Sequence, residues 1–275
     1  MHKVNTRFLD HDYRNYYIPD YSILFFTNHK AAVSSLKWYA FTMYGQSSGY
    51  DLNYGKRAPK LPYNLMKSSP DIFKVMIARN PWDRLVSCYE QKKRDNKIEF
   101  FNSIDLDISS SFDSFARKVC RIPDHYSDRH FRSQFTHITW FDGSLLVDYI
   151  IRFSHLEKDL DFLVKLKDLP LIPFSHLNKS HNEDYTSYYD PELVELVAER
   201  YKVDIELFGF KFAESLQTRI NLTNDKPLSP ENQLAVLEYK SMRSQYYLAY
   251  MNQKTWPKSK SIKTRFRYLL KGEDP

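Results

Sequence analysis

Apolar and polar positions along the chain alternate between strand-like runs and helix-like stripes. "YSILFFT" (21–27) is continuously apolar, the pattern of a strand buried on both faces of a parallel sheet. "SSLKWYAFTMYG" (34–45) follows with helical character, Ser34 as N-cap and Gly45 as stop. "DIFKVMIAR" (71–79) is a second buried strand, and "NPWDRLVSCYEQKKRDN" (80–96) a second helix. There Asn80 caps, Pro81 takes the first helical position and Asp83 lies in the first turn. Trp82, Leu85, Val86 and Tyr89 form its buried stripe. A third strand fits "LLVDYIIRF" (145–153), with a helix through "HLEKDLDFLVKL" (155–166). "DPELVELVAERYKVDIELFGF" (190–210) reads as one capped helix, and 46–70 and 170–190 as polar loops. Strands alternating with helices predict an α/β fold: a mostly parallel sheet with helices on both faces.

Beyond residue 215 the pattern changes to one long helix over 229–254 and a basic tail, "PKSKSIKTRFRYLLK". The predicted organisation is a unit over 1–214 and a helical extension over 215–275. Neither an internal repeat nor a low-complexity tract is present.

Charge and cysteine content narrow the classes. A net charge of +6 points to anionic partners such as nucleotides, polyanionic glycans or acidic membranes. Two cysteines, Cys88 and Cys120, make no disulfide scaffold and suit a reducing compartment, although one bridge is compatible with the count. The N-terminus has no apolar signal-like core and no stretch has the length of a membrane span. Sequons at Asn178 and Asn221 carry little meaning without a secretion signal. The expected location is cytoplasmic, or peripheral to the inner membrane face through the basic tail. No metal-ligand spacing is present and no metal is expected.

The chemistry concentrates at two strand–helix junctions. In parallel sheets ligands sit beyond the carboxyl ends of strands, and a helix N-terminus there favours an anion. At the first junction Lys30 adds a cation, and Ser34 and Ser35 add hydroxyls. The pattern is not a Walker P-loop and carries no glycine. At the second, Arg79 ends the strand and Ser87 lies two turns into the helix. An arginine fork and a serine so spaced can grip a second phosphate.

"HKAAVSSLK" resembles the 5′-phosphosulfate loop of sulfotransferases, and "ARNPWDRLVSCYEQK" resembles their 3′-phosphate motif, R-[DNH]-P-[FWY]-x-R-L-[VA]-S-x-Y. "DRHF" (128–131), with Gln134 after it, is similar to the D-x-H-W-x-P-Q stretch of Golgi chondroitin and dermatan sulfotransferases. The resemblance spans roughly residues 20–212. It implies a P-loop-NTPase-like three-layer α/β domain. It also implies a donor, 3′-phosphoadenosine 5′-phosphosulfate (PAPS, leaving PAP), and sulfuryl transfer to a carbohydrate hydroxyl.

Carried over, Lys30, Ser34 and Ser35 with the backbone of Ala31, Ala32 and Val33 hold the 5′-phosphate side, and Arg79 and Ser87 the 3′-phosphate. Lys30 neutralises the leaving oxygen, and His130, oriented by Asp128, is the candidate base, with His29 as rival and His155 and His181 behind it. The acceptor would be a surface polysaccharide, lipopolysaccharide or glycolipid, and nucleic acid is not expected as a partner. Departures fall at Ala32, often glycine in relatives, and at Val33, Phe131 and Ser133. They keep open a nucleotide-binding module impaired in transfer, and the fold class keeps open a nucleotide kinase. "HLNKSH" (176–181) reads either as a basic lid or as a solvated loop.

Overall fold

The computed structural model describes residues 15–45, 69–140, 143–174, 184–214 and 228–253. Its centre is a four-stranded sheet in the order β1 (Asn15–Ile18), β2 (Ile23–Phe26), β3 (Phe73–Ala78) and β4 (Tyr149–Arg152). β2, β3 and β4 run parallel, and β1 pairs antiparallel with β2, Tyr16 opposite Phe25. The three predicted strands are therefore present, trimmed at their ends. β1, whose "NYYI" has no apolar run, adds an edge that the pattern did not announce.

Period-two alternation sends successive side chains to opposite faces. Leu24, Phe26, Met76 and Ala78 face one core, and Ile23, Phe25, Val75 and Ile77 face the other. Helices α1 (Val33–Gly45) and α5 (Leu156–Lys167) cover the second face through Leu36, Tyr39, Leu160 and Leu163. The first face is covered by α2 (Pro81–Arg94), α3 (Ile98–Asn102), α4 (Phe112–Cys120), α6 (Pro191–Arg200) and α7 (Lys202–Phe208). Trp82, Leu85, Val86 and Tyr89 are buried in that core, as their spacing predicts. This is the expected three-layer α/β architecture.

Two local expectations are corrected. Ser34 is not the N-cap of α1. The helix begins at Val33, and Ser34 lies exposed in its first turn. The stretch 190–210 is two helices, because the chain breaks at Tyr201, whose hydroxyl donates to the Phe131 carbonyl (2.6 Å) and fixes the corner. The long C-terminal helix is present as α8 (Pro230–Gln253). Val236 and Tyr239 pack it against Val203 of α7 and Phe135. The 176–181 stretch, His181, both sequons, the 214/215 boundary and the basic tail lie outside the described residues.

Candidate active site

Because β2 and β3 are parallel, their carboxyl ends open on one edge, and the two predicted junctions meet there. Gln134, fully buried, ties them. Its Oε1 accepts from the Arg79 amide (3.0 Å) and from Asn28 Nδ2 (2.6 Å), and its Nε2 donates to the Arg79 carbonyl (2.8 Å). Asp204, also buried, accepts from the amides of Gln134 and Phe135 and sets that loop in place.

The first junction, Asn28–Val33, turns sharply. Lys30 and Ala32 both have positive φ, 69° and 54°. The left-handed region strains residues with a Cβ, and such strain concentrates at functional turns. The turn reverses the chain into α1, whose first-turn N–H groups have no intrahelical acceptor. Ala31 and Ser35 are buried, Ala32 and Val33 half-buried, and Ser34 exposed. Lys30 Nζ donates to Gln91 Oε1 (3.0 Å). Burial lowers the Lys30 ammonium to about 8, and the Arg79, Lys92 and Arg94 cations add to the effect.

At the second junction Asn80 caps α2 by accepting from the Trp82 amide, with Pro81 next, as predicted. Arg79 is almost fully engaged. Nε and Nη2 form a bidentate pair with Asp83 (both 2.7 Å), and Nη1 donates to Ser87 Oγ and to the Lys30 carbonyl (both 2.9 Å). Its guanidinium lies over the Phe153 ring, 4.4 Å from the centroid. Four of its five N–H groups thus have acceptors among the described residues. Arg79 and Ser87 are adjacent, as their spacing implies, and Arg79 also braces the Lys30 loop.

The 128–134 stretch packs beside the two junctions. Asp128 Oδ1 accepts from both the backbone N–H (2.9 Å) and Nδ1 (2.5 Å) of His130. Burial pushes the Asp128 carboxyl up, but the contacts with His130 and the Lys92 charge outweigh it and hold it well below the carboxylate range. Burial also lowers the His130 imidazole, with the Asp128 hydrogen bond and charge opposing. His29, the rival base, faces inward. Its ring packs edge-on against His130, centroids 4.9 Å apart, and burial with the nearby cations drives it down to about 2. Phe131 is buried in the core and not presented to an acceptor. His155 instead contacts its neighbour Ser154 at 3.0 Å.

Three residues escaped the sequence reading. Arg84, fully buried, donates Nε to the His29 carbonyl (2.9 Å) and Nη1 to the Arg132 carbonyl (2.8 Å), joining the Lys30 loop to the His130 loop. Gln91 holds Lys30, and Lys92 Nζ lies 3.4 Å from His130 Nε2. Arg84 falls on the second arginine of the 3′-phosphate motif, and Arg84, Ser87 and Gln91 succeed one another at i, i+3 and i+7. Cys88, on the same helix, is inert, since burial pushes its thiol up to about 12. Both cysteines are free.

Fold and site together give an α/β protein whose strand–helix junctions bring Lys30, Arg79, Arg84 and Lys92 together at the carboxyl edge of its sheet. The chain belongs to the sulfotransferase family, whose model matches residues 15–211 of 275. Neither a curated protein nor a solved structure matches it. Among the described residues no helix is long and apolar enough to cross a membrane, and no group of three or more His, Cys, Asp or Glu could hold a metal.

Proposed function

We propose that the protein transfers the sulfuryl group of PAPS to a hydroxyl of a carbohydrate acceptor. The observation that carries this reading is the contact of Arg79 Nη1 with both Ser87 Oγ and the Lys30 carbonyl. It joins the elements suited to the two phosphate ends of such a donor. A 3′-phosphate is the group that separates PAPS from ATP, which disfavours the kinase reading. The strained Lys30–Ala32 turn forms without glycine, so the Ala32 departure leaves the anion-facing loop intact.

In this reading Ala31, Ala32 and Val33 contribute backbone N–H groups to the 5′-phosphate side, with Ser34 and Ser35 beside them. Arg79 and Ser87 hold the 3′-phosphate. His130 Nε2 takes the proton of the acceptor hydroxyl, while Asp128 fixes the ring through Nδ1. The acceptor oxygen bonds to sulfur as the bond from sulfur to the bridging phosphate oxygen breaks. Lys30, mobile once it leaves Gln91, meets the charge growing on that oxygen. The basic tail would hold the protein near an anionic polymer or an acidic membrane face in the cytoplasm.

The test is transfer of labelled sulfate from PAPS to a panel of uronate-containing, neutral and lipid-linked glycans. Transfer that is lost in Lys30→Ala and His130→Ala is expected. PAP binding with no transfer to any acceptor would instead favour the impaired module.

A further inference from the structure

His130 is held from two sides. An ammonium only donates, so Lys92 Nζ, 3.4 Å from Nε2, assigns the lone pair to that nitrogen and the proton to Nδ1, which Asp128 accepts at 2.5 Å. The lone pair that a general base needs is therefore turned toward a cation. Every element around the ring contributes to this setting. Lys92 comes from α2, His29 from the Lys30 loop, Asp128 and Arg129 from the ring's own loop, and Phe100 of α3 supports both partners. The Phe100 ring lies 4.7 Å under the Lys92 ammonium. Among the described residues no carboxylate lies within ion-pair distance of Lys92, although its charge acts on Asp128. The preceding residue does the same for the other reactive group, since Gln91 holds Lys30 Nζ at 3.0 Å. Consecutive residues of one helix thus restrain both.

We propose that Lys92 is a latch on His130, withdrawn by an anionic oxygen group entering the site, so that the base is free only when substrate is present. The proposal rests on the sulfuryl-transfer reading. An ammonium gains more from a full anion than from a neutral imidazole, because attraction between two opposite charges adds to the hydrogen bond. The anion has two sources, the sulfonate of the donor or an acidic group on the acceptor sugar. Once Lys92 turns away, Nε2 can accept the acceptor's O–H proton. Where the acceptor supplies the anion, the base stays held while donor alone is bound, and hydrolysis of the donor by a stray water is suppressed. Lys92 is a positioning residue in this scheme, acting through His130.

Lys92→Met keeps the packing over Phe100 and removes the charge, whereas Lys92→Arg keeps the charge. The readouts are the NMR titration of the His130 ring and the rate of PAPS hydrolysis without acceptor. The expected result is a higher His130 pKa in Lys92→Met, with several-fold faster hydrolysis if the acceptor supplies the anion and unchanged hydrolysis if the donor does, and Lys92→Arg close to wild type. PAP with inorganic sulfate should raise the wild-type His130 titration toward that of Lys92→Met if the donor supplies the anion, and glucuronate should do so if the acceptor does. Lys92→Met matching wild type in titration and hydrolysis, or neither anion moving the wild-type titration, would overturn the latch. If wild type also failed to bind PAP, the sulfuryl-transfer reading would fail with it, whereas intact PAP binding would confine the failure to the latch.

Discussion

Arg84 Nε donates to the His29 carbonyl at 2.9 Å from a position with essentially no solvent exposure. The same guanidinium donates to the Arg132 carbonyl, so one buried side chain sets the distance between the two loops that carry Lys30 and His130. Arg84→Leu orphans both carbonyls, at about 1–3 kcal/mol each. The expected outcome is a clear fall in the urea midpoint, together with loss of the His29–His130 ring contact in NMR spectra. Unchanged stability would show that the two loops hold their positions without Arg84.

Ala32 sits at φ 54°, where L-residues are strained by about 1–2 kcal/mol and glycine is not. Ala32→Gly should therefore stabilise the protein by up to about 1 kcal/mol after the added freedom of the unfolded chain is subtracted. Ala32→Val should destabilise it. Chemical denaturation of both variants checks the sign.

Lys30 titrates near 8 because burial disfavours its charged form. The folded value lies below that of the unfolded chain, so its contribution makes the free protein more stable as pH rises from about 8 to 10.5. Binding of an anion runs the other way. PAP, whose phosphates are ionised by about pH 7, should bind progressively more weakly above pH 8 as Lys30 loses its proton. In Lys30→Ala that dependence should disappear. Titrations of PAP at pH 7 and pH 9 give the comparison.

His130→Ala should lower kcat by about 10²–10⁴, the usual contribution of a general base, and leave PAP affinity unchanged. Asp128→Asn should lower kcat in the same direction, because a neutral amide no longer stabilises the ring as it gains a proton. A fall in PAP affinity in either variant would place these residues on the donor side instead.

Much of this was legible in the sequence. β2 and β3 announce themselves because strands buried on both faces are continuously apolar. α2 does so because its cap, its proline and its stripe agree. β1 was missed since a half-exposed edge strand of four residues carries no such run. The break at Tyr201 was missed because it depends on a hydrogen bond to Phe131, 70 positions away. In the site, Lys30, Arg79, Ser87 and His130 were legible from their junctions and the family resemblance. The contacts of Gln91, Lys92 and Arg84 were not, because they depend on which loop each side chain meets. His29 looked like a loop residue until the fold set it against His130.

Calorimetric titration with PAP, AMP and ATP decides whether the donor site reads a 3′-phosphate. Ser87→Ala is the better control than Arg79→Ala, because Arg79 also neutralises Asp83 and braces the Lys30 loop. PAP should bind about tenfold or more tighter than AMP and ATP, as one charge-assisted hydrogen-bonded group is worth 1.5–3 kcal/mol. Ser87→Ala should erase part of that margin. Equal binding of PAP, AMP and ATP, or none, would contradict the account.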